Sequence, residues 1–135
     1  MKATIAFCFL AAVWGLAGPA AVRAEQISGN ELLRTCTAGD GGILDGFCVG
    51  YIVAQVEGQS WGAFVALQNP MQGDDLDRAN GTVSRALGHC TPAEATNDQL
   101  VAVVLEFMRM HPEIRHDSAR TIVWRALREA FPCAN

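Results

Sequence analysis

Three residues with metal-binding or proton-transfer chemistry fall within six positions near the end of the chain: His111, Glu113 and His116. Two imidazoles and a carboxylate could make a zinc site or a general acid–base set. Their spacing argues against both. Two histidines share a metal on a helix when one turn separates them, as in His-Glu-x-x-His, because both rings then leave the same face. Here they are five apart with Pro112 between them. Such a stretch reads as a polar turn, and no metal or cofactor is expected. His89, beside Cys90, falls at the other end of the hairpin that the last two helices are expected to form.

Nucleophilic catalysis finds no better footing. The order Gly58-x-Ser60-x-Gly62 occurs, but within helical spacing and without the preceding strand that a nucleophile elbow needs. Ser28, Ser60, Ser84 and Ser118 sit at helix starts or in polar stretches. Asp74, Asp75 and Asp77 cluster, but without the alternating Asp-x-Asp-x-Asp-Gly order and distal Glu of a calcium loop. These acids read as solvated surface. Nothing assembles the several roles a reaction requires, so the chain is read as a protein that acts without catalysis.

The cysteines are the remaining reactive groups, and the compartment decides their chemistry. Lys2 precedes an apolar run from Ala3 to Leu16, followed by Gly18, Pro19 and Val22-Arg23-Ala24. These are the parts of a secretory signal in order, with cleavage expected near Ala24. The run is too short for a comfortable membrane span, and Ala6-Phe7 before Cys8 is not a lipidation site, so no stable membrane anchor is expected. A mature domain at 25–135 then keeps Cys36, Cys48, Cys90 and Cys133. An even set in a short exported chain reads as two disulfides, in any of three connectivities. Lys2 and Arg23 are two of the 10 basic residues, so their loss leaves 8 against 14 acidic, a net charge near −6. That balance argues against nucleic acid and anionic membranes as partners.

Helical periodicity runs through the whole mature segment, which predicts an all-α, compact bundle of about five helices stapled by two disulfides. Ser28-x-x-Glu31 and Thr96-x-x-Gln99 are capping boxes for the first and fourth helices. A second helix is expected over 43–57, with Leu44, Phe47, Cys48, Tyr51, Ile52 and Val56 inward. Along it Gly46, Gly50, Ala54 and Gly58 recur every four residues, a strip without bulky side chains that is expected to admit another helix internally. Gly58, Gly62 and Asn69-Pro70 predict an irregular stretch over 58–75, relieved by one helical turn at Trp61 to Leu67. A weak helix over 75–88 would turn Leu76, Ala79, Val83, Ala86 and Leu87 inward. The fourth helix, apolar over most of its circumference, is expected at the centre and ends at His111-Pro112. Ala119, Ile122, Val123, Ala126, Leu127 and Ala130 form one stripe on the last helix, which Asp117 or Ser118 caps and Pro132 stops. The last two helices then read as an antiparallel hairpin with both flanking cysteines, Cys90 and Cys133, at the end opposite His111 and His116.

In order, LLRTC, FCVGYIVAQVEG, HCTPAEATNDQLVAVVLEFMRMHPE and ALREAFPC resemble the Tai-type immunity family, periplasmic antidotes to amidase effectors of the type VI secretion system. The resemblance spans about Ser28 to Cys133. It implies a small helical periplasmic protein that binds a peptidoglycan amidase effector and blocks its active site. No catalytic residue is carried over. Gly46 and Gly50 would pack, Pro112 would turn the chain, and Tyr51, His111, Phe131 and Pro132 would be structural. Contacts with the effector would come from the segment Trp61 to Asp77, through Trp61, Asp74, Asp75 and Asp77. A homodimer is compatible with the same reading. Cys36, Val49-Gly50-Tyr51 and Cys90 also resemble small periplasmic acid-stress chaperones, which bind unfolding clients at low pH. That second resemblance implies the pairing Cys36–Cys90 and Cys48–Cys133.

Overall fold

Ser28 ends the extended entry of the chain and starts its first helix. Its hydroxyl accepts the backbone N–H of Glu31 at 3.2 Å, satisfying one of the donors that a helix start leaves open. The structure, a computed structural model, describes residues 26–39, 41–67 and 76–134. The expected leader and its cleavage point at Ala24 lie outside the described residues, as do Asp74 and Asp75.

Among the described residues there are five α-helices: α1 (Gly29–Cys36), α2 (Ile43–Leu67), α3 (Leu76–Leu87), α4 (Asn97–Met110) and α5 (Ala119–Ala130). A 3-10 turn at Pro112–Ile114 links the last two. Extended pairing among these residues is confined to an isolated bridge between Ser28 and Ser118. The expected all-α bundle with two disulfides is therefore the observed one. Thr96 caps α4 through the N–H of Gln99 at 3.2 Å, again as its sequence spacing predicts. Ser118 occupies the N-cap position of α5, but its hydroxyl meets Thr121 Oγ1 instead, and Asp117 turns to Arg125 at 3.2 Å.

Two helices differ from expectation. α2 does not stop at Glu57 but continues ten residues to Leu67. Gly58 and Gly62 each cost helix stability relative to Ala, by about 1 kcal/mol, yet neither removes a backbone hydrogen bond as proline would. Two contacts lie along the extension: Trp61 stacks on Phe64 at 5.5 Å, and Gln59 Nε2 donates to the Arg120 carbonyl of α5. In α3, Ala79 and Val83 are buried as expected, whereas Ala86 is exposed.

The centre of the bundle is α5 rather than α4. Ala119, Ile122, Val123, Ala126 and Leu127 are all sealed from solvent, joined by Leu32, Ile52, Leu100, Val104, Phe107 and Met108 from α1, α2 and α4. The narrow apolar stripe of α5 is covered on every side. The broader apolar surface of α4 leaves Met110 two-thirds exposed.

The bridges are Cys36–Cys48 and Cys90–Cys133, with Cα–Cα distances of 5.0 and 4.9 Å. The pairing implied by the chaperone resemblance is overturned. Cys36 closes α1 and Cys48 lies in the second turn of α2, so the tight connection at 37–42 brings them together. Asp45 holds that connection by accepting the N–H of Gly41 at 2.7 Å. Cys90 and Cys133 meet because the Cys90 N–H donates to the Phe131 carbonyl at 2.8 Å, laying the segment after α3 beside the segment after α5.

Candidate functional site

The histidines that opened the sequence do not converge. His111 Nδ1 is 3.2 Å from Glu113 Oε1, and its Nε2 is 3.7 Å from Glu129 Oε2. Its ring also packs on Phe107 at 4.4 Å. His116 is exposed and turns to Asp117 at 3.5 Å. Among the described residues no group of three such side chains could hold a metal ion. Glu113 is held below the ordinary carboxylate range by its own backbone N–H and by His111, in a fully exposed setting. These are polar contacts at a turn, each histidine facing a carboxylate.

The contact of His111 with Glu129 corrects the expected hairpin. An antiparallel pair would set Glu129, near the end of α5, beside the start of α4. Instead the ends of both helices come together, so the helices cross, and His111 and Cys133 line one open groove of about 710 Å³. Arg115, in the linker between the two helices, caps α4: its Nε donates to the Met108 carbonyl and its Nη2 to that of Arg109 at 3.0 Å. The groove mixes Arg125 and Arg128 with Glu113 and Glu129. Balanced charge of this kind gives no preference for a polyanion or a cation.

His89 is the one buried polar side chain among the described residues, at 4% exposure. Gly88 positions it. With φ of 74° that glycine turns the chain off α3, and a Cβ there would stand 3.0 Å from Arg128 Nε. His89 Nδ1 meets Thr91 Oγ1 at 3.2 Å, while Nε2 has no partner. Burial, reinforced by the nearby Arg128 charge, pushes the imidazole pKa below its ordinary value of 6.5. The unfolded chain therefore takes up this proton before the folded one does. The contribution of neutral His89 is complete above about pH 6.5 and is lost as pH falls through that value toward the folded pKa. Replacing His89 with Gln should flatten the fall in melting temperature between pH 7.5 and 5.5. One group can carry at most about 1.4 kcal/mol per pH unit. An unchanged slope in the variant would assign the acid response elsewhere.

Of the expected partner surface, Trp61 and Asp77 fall among the described residues. Trp61 is two-thirds exposed on α2, and Asp77 is exposed in the first turn of α3. Gly46 and Gly50 do not pack internally: a Cβ at either position, or at Gly58 or Gly62, would meet nothing within 4 Å. Tyr51 is half-buried and stacks on Phe47 at 5.9 Å. Pro112 opens the 3-10 turn. Phe131 caps α5 and gives its carbonyl to Cys90, and Pro132 lies exposed beside it in the groove.

The sequence reading missed the outward face of α2. Ile43 is 89% exposed, and Leu44, Phe47, Val49 and Val65 are each exposed by more than a third. The available signal was the small-residue strip, which continues past Gly58 to Gly62 and Ala66. Its full length shows that the helix does not end at Glu57.

The chain matches a protein-family model described as Rap1a immunity proteins over residues 28–133. Neither the comparison with curated proteins nor that with solved structures returns a match.

Proposed function

We propose, from the premise that this chain belongs to the Rap1a immunity protein family, that it protects its producer by binding and inhibiting a peptidoglycan amidase delivered by a type VI secretion system. The observation that carries the proposal is the family match across residues 28–133, which takes in all five helices and both bridges. The action proposed is occlusion by a folded surface, with no chemistry of the inhibitor's own. The periplasm is the location proposed, since the effector's substrate is there and disulfides persist in that oxidising compartment. The chaperone reading loses its structural ground, because the Cys36–Cys90 bridge it implies is not formed.

The acidic run Asp74, Asp75 and Asp77 is the proposed contact with a basic rim of the effector active site. The test uses the amidase encoded or secreted by the same source, assayed on purified peptidoglycan with increasing amounts of the oxidised chain. Activity should fall in proportion to added chain and vanish near stoichiometry. Reversing all three aspartates to lysine should weaken binding at least about tenfold, with the larger loss at low salt. Unchanged binding in the reversed variant would remove this surface. Full amidase activity at excess chain would remove the amidase as target.

A further inference from the structure

A group cut off from water needs a partner for any charge it takes up, and the surroundings of His89 offer none. Its ring is 4% exposed, its Nδ1 meets the Thr91 hydroxyl at 3.2 Å, and its Nε2 meets nothing. A protonated imidazole carries an N–H on both nitrogens, so one buried donor would lack an acceptor. From α5, Arg128 sets a like charge beside the ring. Arg85 of α3 turns back to the Thr82 hydroxyl at 3.4 Å, and Glu94 of the following strap is exposed. Arg125, His111, Glu113 and Glu129 stand in the groove beyond Gly88, and none of them reaches the ring. Among the described residues no carboxylate lies within ion-pair range of His89.

The chain around this ring can give way on one side only. Behind it Cys90 is fixed, by its bridge to Cys133 and by the bond from its N–H to the Phe131 carbonyl at 2.8 Å. The residues ahead of it are held more lightly. α3 packs chiefly on α2, and a single side-chain bond ties its last residue to α5, from Trp124 Nε1 to the Leu87 carbonyl at 2.9 Å. Gly88, at φ of 74°, is a joint between the two parts. At the same junction a cleft of about 380 Å³ opens between Gln55, Leu87, Arg120 and Trp124.

We propose that His89 is an acid-operated latch: taking up a proton frees the end of α3 from α5, with Gly88 as the joint and the bridged Cys90 as the anchor. The ring reaches water by carrying Gly88 and Leu87 outward, which breaks the Trp124–Leu87 bond and leaves the sealed core of α1, α2, α4 and α5 closed. Unfolding of the whole chain is not needed. His111 and His116 do not compete, since each faces a carboxylate and a proton there gains a partner. The open form takes up the proton more readily than the closed one, in which burial and Arg128 hold the imidazole below its ordinary value. Opening therefore grows as pH falls below about 6.5. α3 carries Asp77 of the acidic run in its first turn, so opening moves the surface proposed to meet the effector. That consequence rests on the proposed contact; the latch itself does not.

The test is hydrogen exchange, read by NMR on the oxidised chain without any effector, between pH 7 and pH 5. Below about pH 6.5 the Trp124 indole N–H and the backbone N–H groups of Gly88 and His89 should lose protection, by up to about tenfold per pH unit. Those of Ile122 to Leu127 should keep theirs. In His89→Gln, whose side chain stays neutral, the acid-dependent loss should vanish. Arg128→Gln should shrink it, because the closed form then accepts the proton more readily. The ring resonance of His89 gives the same answer with no substitution at all: its titration should coincide with the loss of protection at Trp124. A ring that titrates while the Trp124 indole stays protected would overturn the proposal. So would unchanged protection down to pH 5, a loss spread equally over α4 and α5, or acid opening that persists in His89→Gln.

Discussion

Replacing Cys90 and Cys133 with alanine is expected to lower the unfolding free energy by about 4 kcal/mol. The bridge closes a segment of 43 residues that contains all of α4 and α5. In its absence the unfolded chain regains the entropy of that loop, while the folded state loses only a half-buried sulfur pair and keeps the bond from the Cys90 N–H to the Phe131 carbonyl. A domain of this size has about 5–15 kcal/mol to lose, so one staple is a large share. The shorter Cys36–Cys48 loop, with a separation of 12, is worth about 3 kcal/mol on the same model. Its removal costs more than loop entropy alone, because Cys48 is buried in the core. Urea unfolding of the double alanine variant measures the first loss, and a change below about 1 kcal/mol would refute the entropic account. The single variant Cys90→Ala tests the pairing independently. Thiol labelling and peptide mapping should then find Cys133 free, and a free Cys36 would contradict the observed connectivity.

That connectivity shows where sequence reading reaches its limit. Local signals placed α1, α4 and α5 to within a residue or two, because Ser28, Thr96, Pro112 and Pro132 act on the backbone beside them. Which cysteines meet is a question about packing, and periodicity along one helix carries no information on its neighbours. Cys90 and Cys133 bracket α4 and α5 in the sequence, which leaves all three connectivities open, and the pairing implied by the chaperone resemblance is not the one formed. The His111–Glu129 contact was hidden for the same reason, since it depends on the angle at which two helices cross. The glycines of α2 read as breaks in sequence, which is why the expected helix is shorter than the observed Ile43–Leu67. Its outward face was hidden because an all-round apolar helix looks the same in sequence whether its second face meets the interior or another molecule.

Gly29→Ala is expected to destabilise the fold by about 1–3 kcal/mol, although alanine is the better helix former. The reason is the closeness of the α1 start to the turn before α5. The Gly29 N–H donates to the Asp117 carbonyl at 3.0 Å, the Asn30 N–H to that of Arg115 at 2.8 Å, and the Ala119 N–H to that of Ile27 at 2.7 Å. These bonds fix the distance between the two segments. A Cβ at position 29 would run into Ile122 Cδ1 and stand 3.0 Å from the Arg115 carbonyl oxygen. Ile122 is fully buried and has no free space to move into. Ile122→Val removes that terminal methyl at an expected cost of about 0.5–1.5 kcal/mol. In the double variant the new methyl fills part of the vacated volume, so the combined loss should fall short of the summed single losses by at least about 0.5 kcal/mol. The Arg115 carbonyl still crowds the site, so rescue stays partial. Strict additivity in urea unfolding of the four proteins would mean that the cost at position 29 comes from the Arg115 backbone alone, and that Ile122 takes no part in setting how closely α1 approaches α5.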